Sequence, residues 1–449
     1  MKINLNHKQS VVLKPPKINL LTWLEIVILV GVWLFSILGQ WQRFLTPIGT
    51  VGIHEALMFI YIFFLLPISV TGLFTSRASS PKKLPEIKEA LSHKLFFYWV
   101  FVFIAWLCWI IASSLINYLH NPAEYNILVG GSYLARQLIY WLFLAVLAYR
   151  VKNQLIFLPN QKPLKPLHFK NALLFWLVFQ IILGIAQYLM FPDARWLYYL
   201  GWDDHLNRAF GTLLDPGYFG LLMSLGALII WSDIADQKFS SLNWQAKSRA
   251  MVVLAGFILL LALSFSRASY LAYLAGVAVL AWKFRQRTLL LGIPLLLLAL
   301  VLVPKDGGGE GQRLLRTASI EQRSETTAKH WWQYRRRQQW LIGQGWYYQL
   351  STNNTSQNNL KLPQHASTVD TAYLHLLFSS GVIGLTLWLI LIIIWWQIFR
   401  DNPVVLAGLT AVLTHSLFSP AMFYPWVWLA MGVLILSQIN ISKKEDKNY

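Results

Sequence analysis

Arg208 and Arg267 each stand just before an apolar segment, beside residues that start helices. The first lies in Asn207-Arg208-Ala209-Phe210-Gly211-Thr212-Leu213-Leu214-Asp215-Pro216-Gly217, where Asp215 is a natural N-cap and Pro216 suits the first helical turn. The second lies in Ser264-Phe265-Ser266-Arg267-Ala268-Ser269, caught between two apolar blocks. Placing an arginine deep in a membrane costs roughly 2.5–3.5 kcal/mol on insertion scales, which argues for a role. A third helix start, Thr368-Val369-Asp370-Thr371, follows His365. Helix N-termini are the positive ends of their dipoles, and with arginines nearby they make a site for an anion. Beside lipid, that anion is expected to be a lipid-linked phosphate or diphosphate. Each piece also has a plain reading: Arg208 can snorkel to headgroups, His365 can be a solvated loop residue, and Asp370 can be an N-cap.

Two further stretches carry residue types capable of chemistry. Trp331, Trp332, Trp340 and Trp346 are interleaved with Lys329, Arg335, Arg336 and Arg337. This pattern predicts an amphipathic helix lying in the interface, aromatics in the acyl boundary and cations on phosphates. Arg335, Arg336 and Arg337 are thus candidate accessory phosphate contacts, against the alternative of a belt with no ligand. Gly343-Gln344-Gly345 makes a tight turn. Asp203-Asp204-His205 has metal-ligand residue types, but neighbours in sequence rarely converge on one ion. A solvated loop is the expectation there, with no metal site.

The elements that must position these residues are helices. Of the 449 residues, 56% are hydrophobic and 13% are charged, where a soluble chain carries about 25% charged. The apolar residues come in blocks long enough to cross a bilayer core of roughly 30 Å, and these blocks lack the alternation of a β-barrel. The expected fold class is all-α: a polytopic membrane bundle, one membrane domain over 1–449. Twelve spans are predicted, at 20–38, 55–74, 95–116, 132–149, 171–190, 216–232, 250–265, 268–282, 288–303, 372–397, 403–418 and 424–440. The stretch 250–282 could also be a single broken hairpin.

Placing the N-terminus in the cytoplasm puts basic clusters on every cytoplasmic loop, 24 of the 38 Lys and Arg in all. Arg150, with Lys152, Lys162, Lys165 and Lys170, counts among them. Both termini are then cytoplasmic. The segment 304–371, with nine of the remaining cations, is one long external loop between the ninth and tenth spans. The formal charge of +19 is therefore assigned to lipid headgroups and not to nucleic acid. The first block is too long for a signal-peptide core and reads as a retained anchor. Cys108, the single cysteine, can form no internal disulfide.

Four stretches, RAFGTLLDPGYFG (208–220), SFSRASYLAYLAG (264–276), LIGQGW (341–346) and DTAYLHLLFSSGVIGL (370–385), together resemble the O-antigen ligase and O-antigen polymerase family of membrane glycosyltransferases. They occur in the family's order and spacing and cover roughly 200–400. The resemblance implies transfer of a glycan from an undecaprenyl-diphosphate carrier to an acceptor glycan, or to lipid A core in a ligase. It implies the outer face of a bacterial cytoplasmic (inner) membrane, with no cofactor, nucleotide or metal. Arg208 and Arg267 would hold the carrier diphosphate and stabilise it as it leaves. A histidine near the end of the external loop would be the general base. The family often has His-Asn where this chain has Asp370-Thr371, so the base is either Asp370, at the matching position, or His365, five residues earlier. Trp331-Trp332-Gln333-Tyr334 is also similar to the WWD stretch of asparagine-linked oligosaccharyltransferases, with Gln333 in place of the acid.

The rival expectation is a transporter or flippase of lipid-linked glycan intermediates. It would need charged or broken helices at mid-membrane; His415 and the glycines of the eleventh span are the residues that keep it open.

Overall fold

The computed structural model describes residues 20–46, 49–76, 87–120, 127–158, 162–200, 205–236, 241, 243–304, 339–347, 369 and 371–439, and also 321, 324–325, 327–328, 331–332 and 334. Among the described residues, each predicted apolar segment is largely α-helical. In chain order these are α1 (Leu20–Ile37), α2 (Ile53–Ser76), α3 (Ile87–His120), α4 (Ile127–Lys152), α5 (Pro166–Met190), α6 (Pro216–Ala235), α7 (Trp244–Leu263), α8 (Arg267–Phe284), α9 (Gly292–Leu302), α10 (Ala372–Ile398), α11 (Pro403–His415) and α12 (Pro425–Leu436). Seven of them, α1, α3 to α7 and α10, are long and apolar enough to cross a bilayer. The chain is an all-α membrane protein. The stretch 250–282 is two helices, α7 and α8, joined by the tight turn Ser264–Ser266 with Phe265 at φ 49°.

Successive helices run in opposite directions. At one end of the bundle, Thr212 Oγ1 donates to the Ile37 carbonyl closing α1 (2.9 Å) and Trp426 Nε1 at the start of α12 donates to Ser36 O (3.2 Å). At that same end the Ala372 amide opening α10 donates to Ser416 O just past α11 (3.0 Å). At the other end, Lys170 near the start of α5 pairs with Asp233 near the end of α6. We call the first the site end, because the candidate residues collect there.

Helix α6 is the central post. It is apolar on all sides, and 78% of its membrane-length window is buried, against 11% for α3; a helix apolar all round belongs in an interior. It packs on α7, α8 and α11, and small residues let the backbones approach. A side chain at Gly226 would meet the Phe257 ring at 2.5 Å, and one at Gly276 the Leu228 methyl at 2.4 Å. The outer surface of α3 carries exposed Phe96, Phe97, Tyr98 and Phe101, a face suited to lipid.

Helix α10 is broken at Gly381, whose φ of 68° and ψ of −173° lie in a region only glycine occupies without strain. The break is filled by the residues of the LIGQGW stretch. Gln344 N donates to Phe378 O (2.7 Å), Gly345 N to Ser379 O (3.0 Å) and Val382 N to Trp340 O (2.9 Å). From α3, Ser113 Oγ donates to Ile342 O (2.7 Å) and Trp109 Nε1 to Ser380 O (2.8 Å). Irregular backbone within a membrane bundle is tolerated where protein surrounds it and meets its hydrogen bonds.

Arg150 and Trp346 differ from the sequence reading. Arg150, counted there with the loop cations, is 6% exposed and gripped by Glu25, Nε to Oε1 and Nη2 to Oε2 both 2.6 Å. The Tyr61 hydroxyl donates to the same carboxylate at 2.9 Å. Trp346, read as an interfacial aromatic, is 1% exposed and packs edge-on to Trp106.

Candidate functional site

The loop before α6 is pinned by α5. Gln187 Oε1 accepts from Phe210 N (2.9 Å), and its amide donates to Arg208 O (3.2 Å). Asp215 caps α6 as its sequence predicts, Oδ1 accepting from the Gly217 and Tyr218 amides at 2.6 and 3.0 Å, with Pro216 first in the helix. Earlier in the loop, hydrogen bonds from Arg195 hold the exposed Asp193 carboxyl down to about 2. His205, expected in a solvated loop, is 5% exposed and packs on Phe210. Asp203 and Asp204 lie outside the described residues, and among the described ones no group of three His, Cys, Asp or Glu is placed to hold a metal.

Arg208 reaches the α7–α8 turn. Its Nε donates to Ser264 O (3.0 Å) and Nη2 lies 3.5 Å from Phe265 O, so it covers the carbonyl end of α7, where a cation is favoured. It is 9% exposed and buried on this turn. Arg267 opens α8 on the far side of the turn and is half-buried. Ser266 caps that helix, Oγ accepting from Ser269 N at 3.3 Å. The two predicted arginines therefore share one turn. The carbonyl of Gly217, in the first turn of α6, accepts from Ser269 Oγ (2.8 Å) and lies 3.1 Å from His415 Nε2. His415, set aside in the sequence for a transport role, thus ends α11 beside this turn.

Thr371, not Asp370, caps α10, its Oγ1 accepting from Leu374 N at 3.1 Å. Asp370 and His365 lie outside the described residues, as do Lys329, Arg335, Arg336 and Arg337. Of the predicted interfacial helix, Trp331, Trp332 and Tyr334 are helical; the tryptophans are exposed, whereas Tyr334 is buried on Phe378 of α10. Burial pushes the Tyr334 hydroxyl up to about 12. It donates to Trp340 O (2.6 Å).

A second charged group at the site end has no counterpart in the sequence reading. After α1 come a turn (Gly39–Gln42) and a small antiparallel hairpin, β1 (Arg43–Thr46) with β2 (Gly49–Gly52). This connection brings Arg43 to Glu55 of α2 (3.7 Å), and Arg136 of α4 reaches the same carboxylate (3.1 Å). The Tyr140 hydroxyl and the Gly52 amide also donate to Glu55, at 3.3 and 2.8 Å. His54 Nε2 lies 2.5 Å from Tyr140 Oη, and His54 Nδ1 hydrogen-bonds Gln42. Burial, then the neighbouring Arg136 charge, lowers Arg43 from its usual value. The available signal was Glu55 and Arg136 inside apolar spans, since ionisable residues there are functional candidates by default.

Aromatic rings lead from this group to two buried histidines. Arg43 lies over Trp426 (5.1 Å), and Gln40 Nε2, which shares the turn, donates to Tyr424 Oη (2.9 Å). Tyr424 stacks on Tyr218 (3.7 Å), beside His415. Arg136 lies over Tyr133 (5.4 Å), which stacks on Tyr347 (4.1 Å), which meets His375 of α10 (4.7 Å). His375 is 3% exposed, with no hydrogen-bond partner for Nε2. One end of the bundle thus gathers Arg43, Arg136, Arg208 and Arg267, the buried histidines His54, His205, His375 and His415, and a run of tyrosines.

Comparison with known proteins finds no matching family model, no matching curated protein and no matching solved structure.

Proposed function

We propose that this protein is a metal-independent glycosyltransferase of the bacterial cytoplasmic membrane. It moves a glycan from an undecaprenyl-diphosphate carrier to an acceptor sugar at the outer face, as O-antigen ligases and polymerases do. The observation that carries this reading is the shared turn of Arg208 and Arg267, set against the capped start of α6 and beside His415. In this reading all twelve helices cross the membrane, both termini are cytoplasmic, and 304–371 is external. The site end is then the outer end.

The chemistry follows from those groups. Arg208 and Arg267 hold the carrier diphosphate, and their charge stabilises it as a leaving group. The acceptor hydroxyl oxygen bonds to the anomeric carbon as the bond from that carbon to the diphosphate breaks. The bonding electrons leave on the phosphate oxygen, and the hydroxyl proton passes to His365 or Asp370, in the segment preceding α10. Arg335, Arg336 and Arg337 add phosphate contacts from the external loop. The transporter reading draws on the break in α10, a feature such proteins use. Here the break is filled by the backbone of 340–345.

The test is transfer by the purified protein in liposomes, supplied with a lipid-linked donor and an acceptor glycan and no nucleotide sugar. We expect acceptor elongation that persists with a chelator present. Movement of the donor across the bilayer without transfer would sink the proposal in favour of a flippase.

A further inference from the structure

Around Glu55 two cations face one carboxylate. Glu55 is already engaged by Arg136, Tyr140 and the Gly52 amide. Arg43 stands farther away, at 3.7 Å, gives Nη1 to Gln40 Oε1 (2.9 Å), and keeps a buried Nε with no hydrogen-bond partner. A buried charge without full compensation is costly, as is a buried donor without an acceptor. The group is also reachable: the Arg43 and Arg136 side chains are 12% and 17% exposed, against 4% for Glu55 beneath them. Two guanidinium groups sharing one carboxylate, and side chains partly open to the outside, occur at one place.

We infer that Arg43 and Arg136 bind a single anionic group, a phosphate or a carboxylate, above Glu55, at a site separate from the Arg208–Arg267 turn. Guanidinium forks suit either oxyanion. Glu55 holds the two forks together and offsets part of their charge, so it moderates the affinity. Trp426, fully buried under Arg43, and Tyr133 under Arg136 hold the two guanidinium groups in place from below. The inference concerns occupancy and does not depend on glycan transfer.

Heat unfolding of the purified protein in a zwitterionic detergent, with inorganic phosphate or glucuronate titrated in, tests it. A ligand of the folded state raises the unfolding midpoint with its occupancy. Phosphate also stabilises proteins without binding a site, so the readout is the difference between parent and variants. We expect a rise of a few degrees in the parent with one or both anions, and the comparison between them tells which oxyanion the site prefers. Arg400→Gln, an exposed arginine at the opposite end of α10, should keep the rise; Arg43→Gln and Arg136→Gln should lose most of it. Glu55→Gln preserves the shape and removes the opposing charge, so half-saturation should fall to a concentration roughly tenfold lower. If Arg43→Gln does not fold, Arg43→Lys keeps the charge without the fork and should need more anion. The inference is overturned by no anion-specific rise in the parent, by a rise that survives in both arginine variants, or by Glu55→Gln weakening the binding.

Discussion

The Nε of Arg208 donates to the carbonyl of Ser264 at 3.0 Å, three residues before Arg267. This bond sets one predicted arginine on the turn that presents the other. It also gives Arg208 a second duty, closing the carbonyl end of α7. In the proposed reaction Arg208→Ala and Arg267→Ala each abolish glycan transfer while the protein still inserts. Arg208→Ala should also lower the unfolding midpoint, whereas Arg267→Ala should leave it nearly unchanged. Lysine at either position should rescue transfer poorly, because a point charge cannot reproduce a two-pronged contact with a diphosphate. Full transfer by Arg267→Ala at normal expression would remove the donor site.

The base is tested by two single variants. If His365 takes the acceptor proton, His365→Ala lowers transfer by roughly 10²–10⁴-fold with donor binding kept. Parent activity then falls as pH drops below about 6.5, where an imidazole gains its proton and can no longer accept one. If Asp370 is the base, Asp370→Asn is inactive, His365→Ala is close to normal, and the fall comes nearer pH 4. Because Thr371 caps α10, loss of activity in Asp370→Asn cannot be ascribed to a lost N-cap. Parental activity in both variants would place the base elsewhere, with His375 and His415 next to examine.

The broken helix makes a stability prediction. A Cβ on Gly381 would lie 2.1 Å from Leu341 O, and one on Gly343 would lie 2.5 Å from Gly381 N. Both clashes are with backbone, which cannot swing aside. Gly381→Ala should cost about 1–3 kcal/mol from its backbone conformation alone, and more from the clash. Gly343→Ala should cost a similar amount. Unfolding midpoints in detergent measure both. An unchanged midpoint in either would mean that the 340–346 segment does not fill the break.

The Glu25–Arg150 pair predicts a pattern across a double variant. Removing either partner leaves the other charge buried, at a cost of about 3–5 kcal/mol. Glu25→Gln and Arg150→Met should therefore each lower the midpoint substantially, and the double variant should recover most of the loss. Equal effects of the single and double variants would speak against a direct pairing.

The apolar segments and their caps are legible in the chain because both depend on local sequence. A bilayer obliges each segment to satisfy its own backbone, so length and hydropathy suffice to mark a helix. Asp215 with Pro216 marks the start of α6 through contacts spanning three residues. Hydropathy says nothing about which way a helix is rotated or which helix lies beside it, and that is where the tertiary structure decided matters. Arg150 looks like one more loop cation until α1 and α2 bring Glu25 and Tyr61 to it. Gly343 reads only as a turn residue until α10 breaks at Gly381 to receive it. Arg43, Glu55 and Arg136 lie on three separate elements with no motif to join them, and they become one group only when the α1–α2 hairpin folds over the start of α4. Charge pairing acts over a few ångströms of space, and no spacing along a sequence encodes those ångströms once the partners come from different helices.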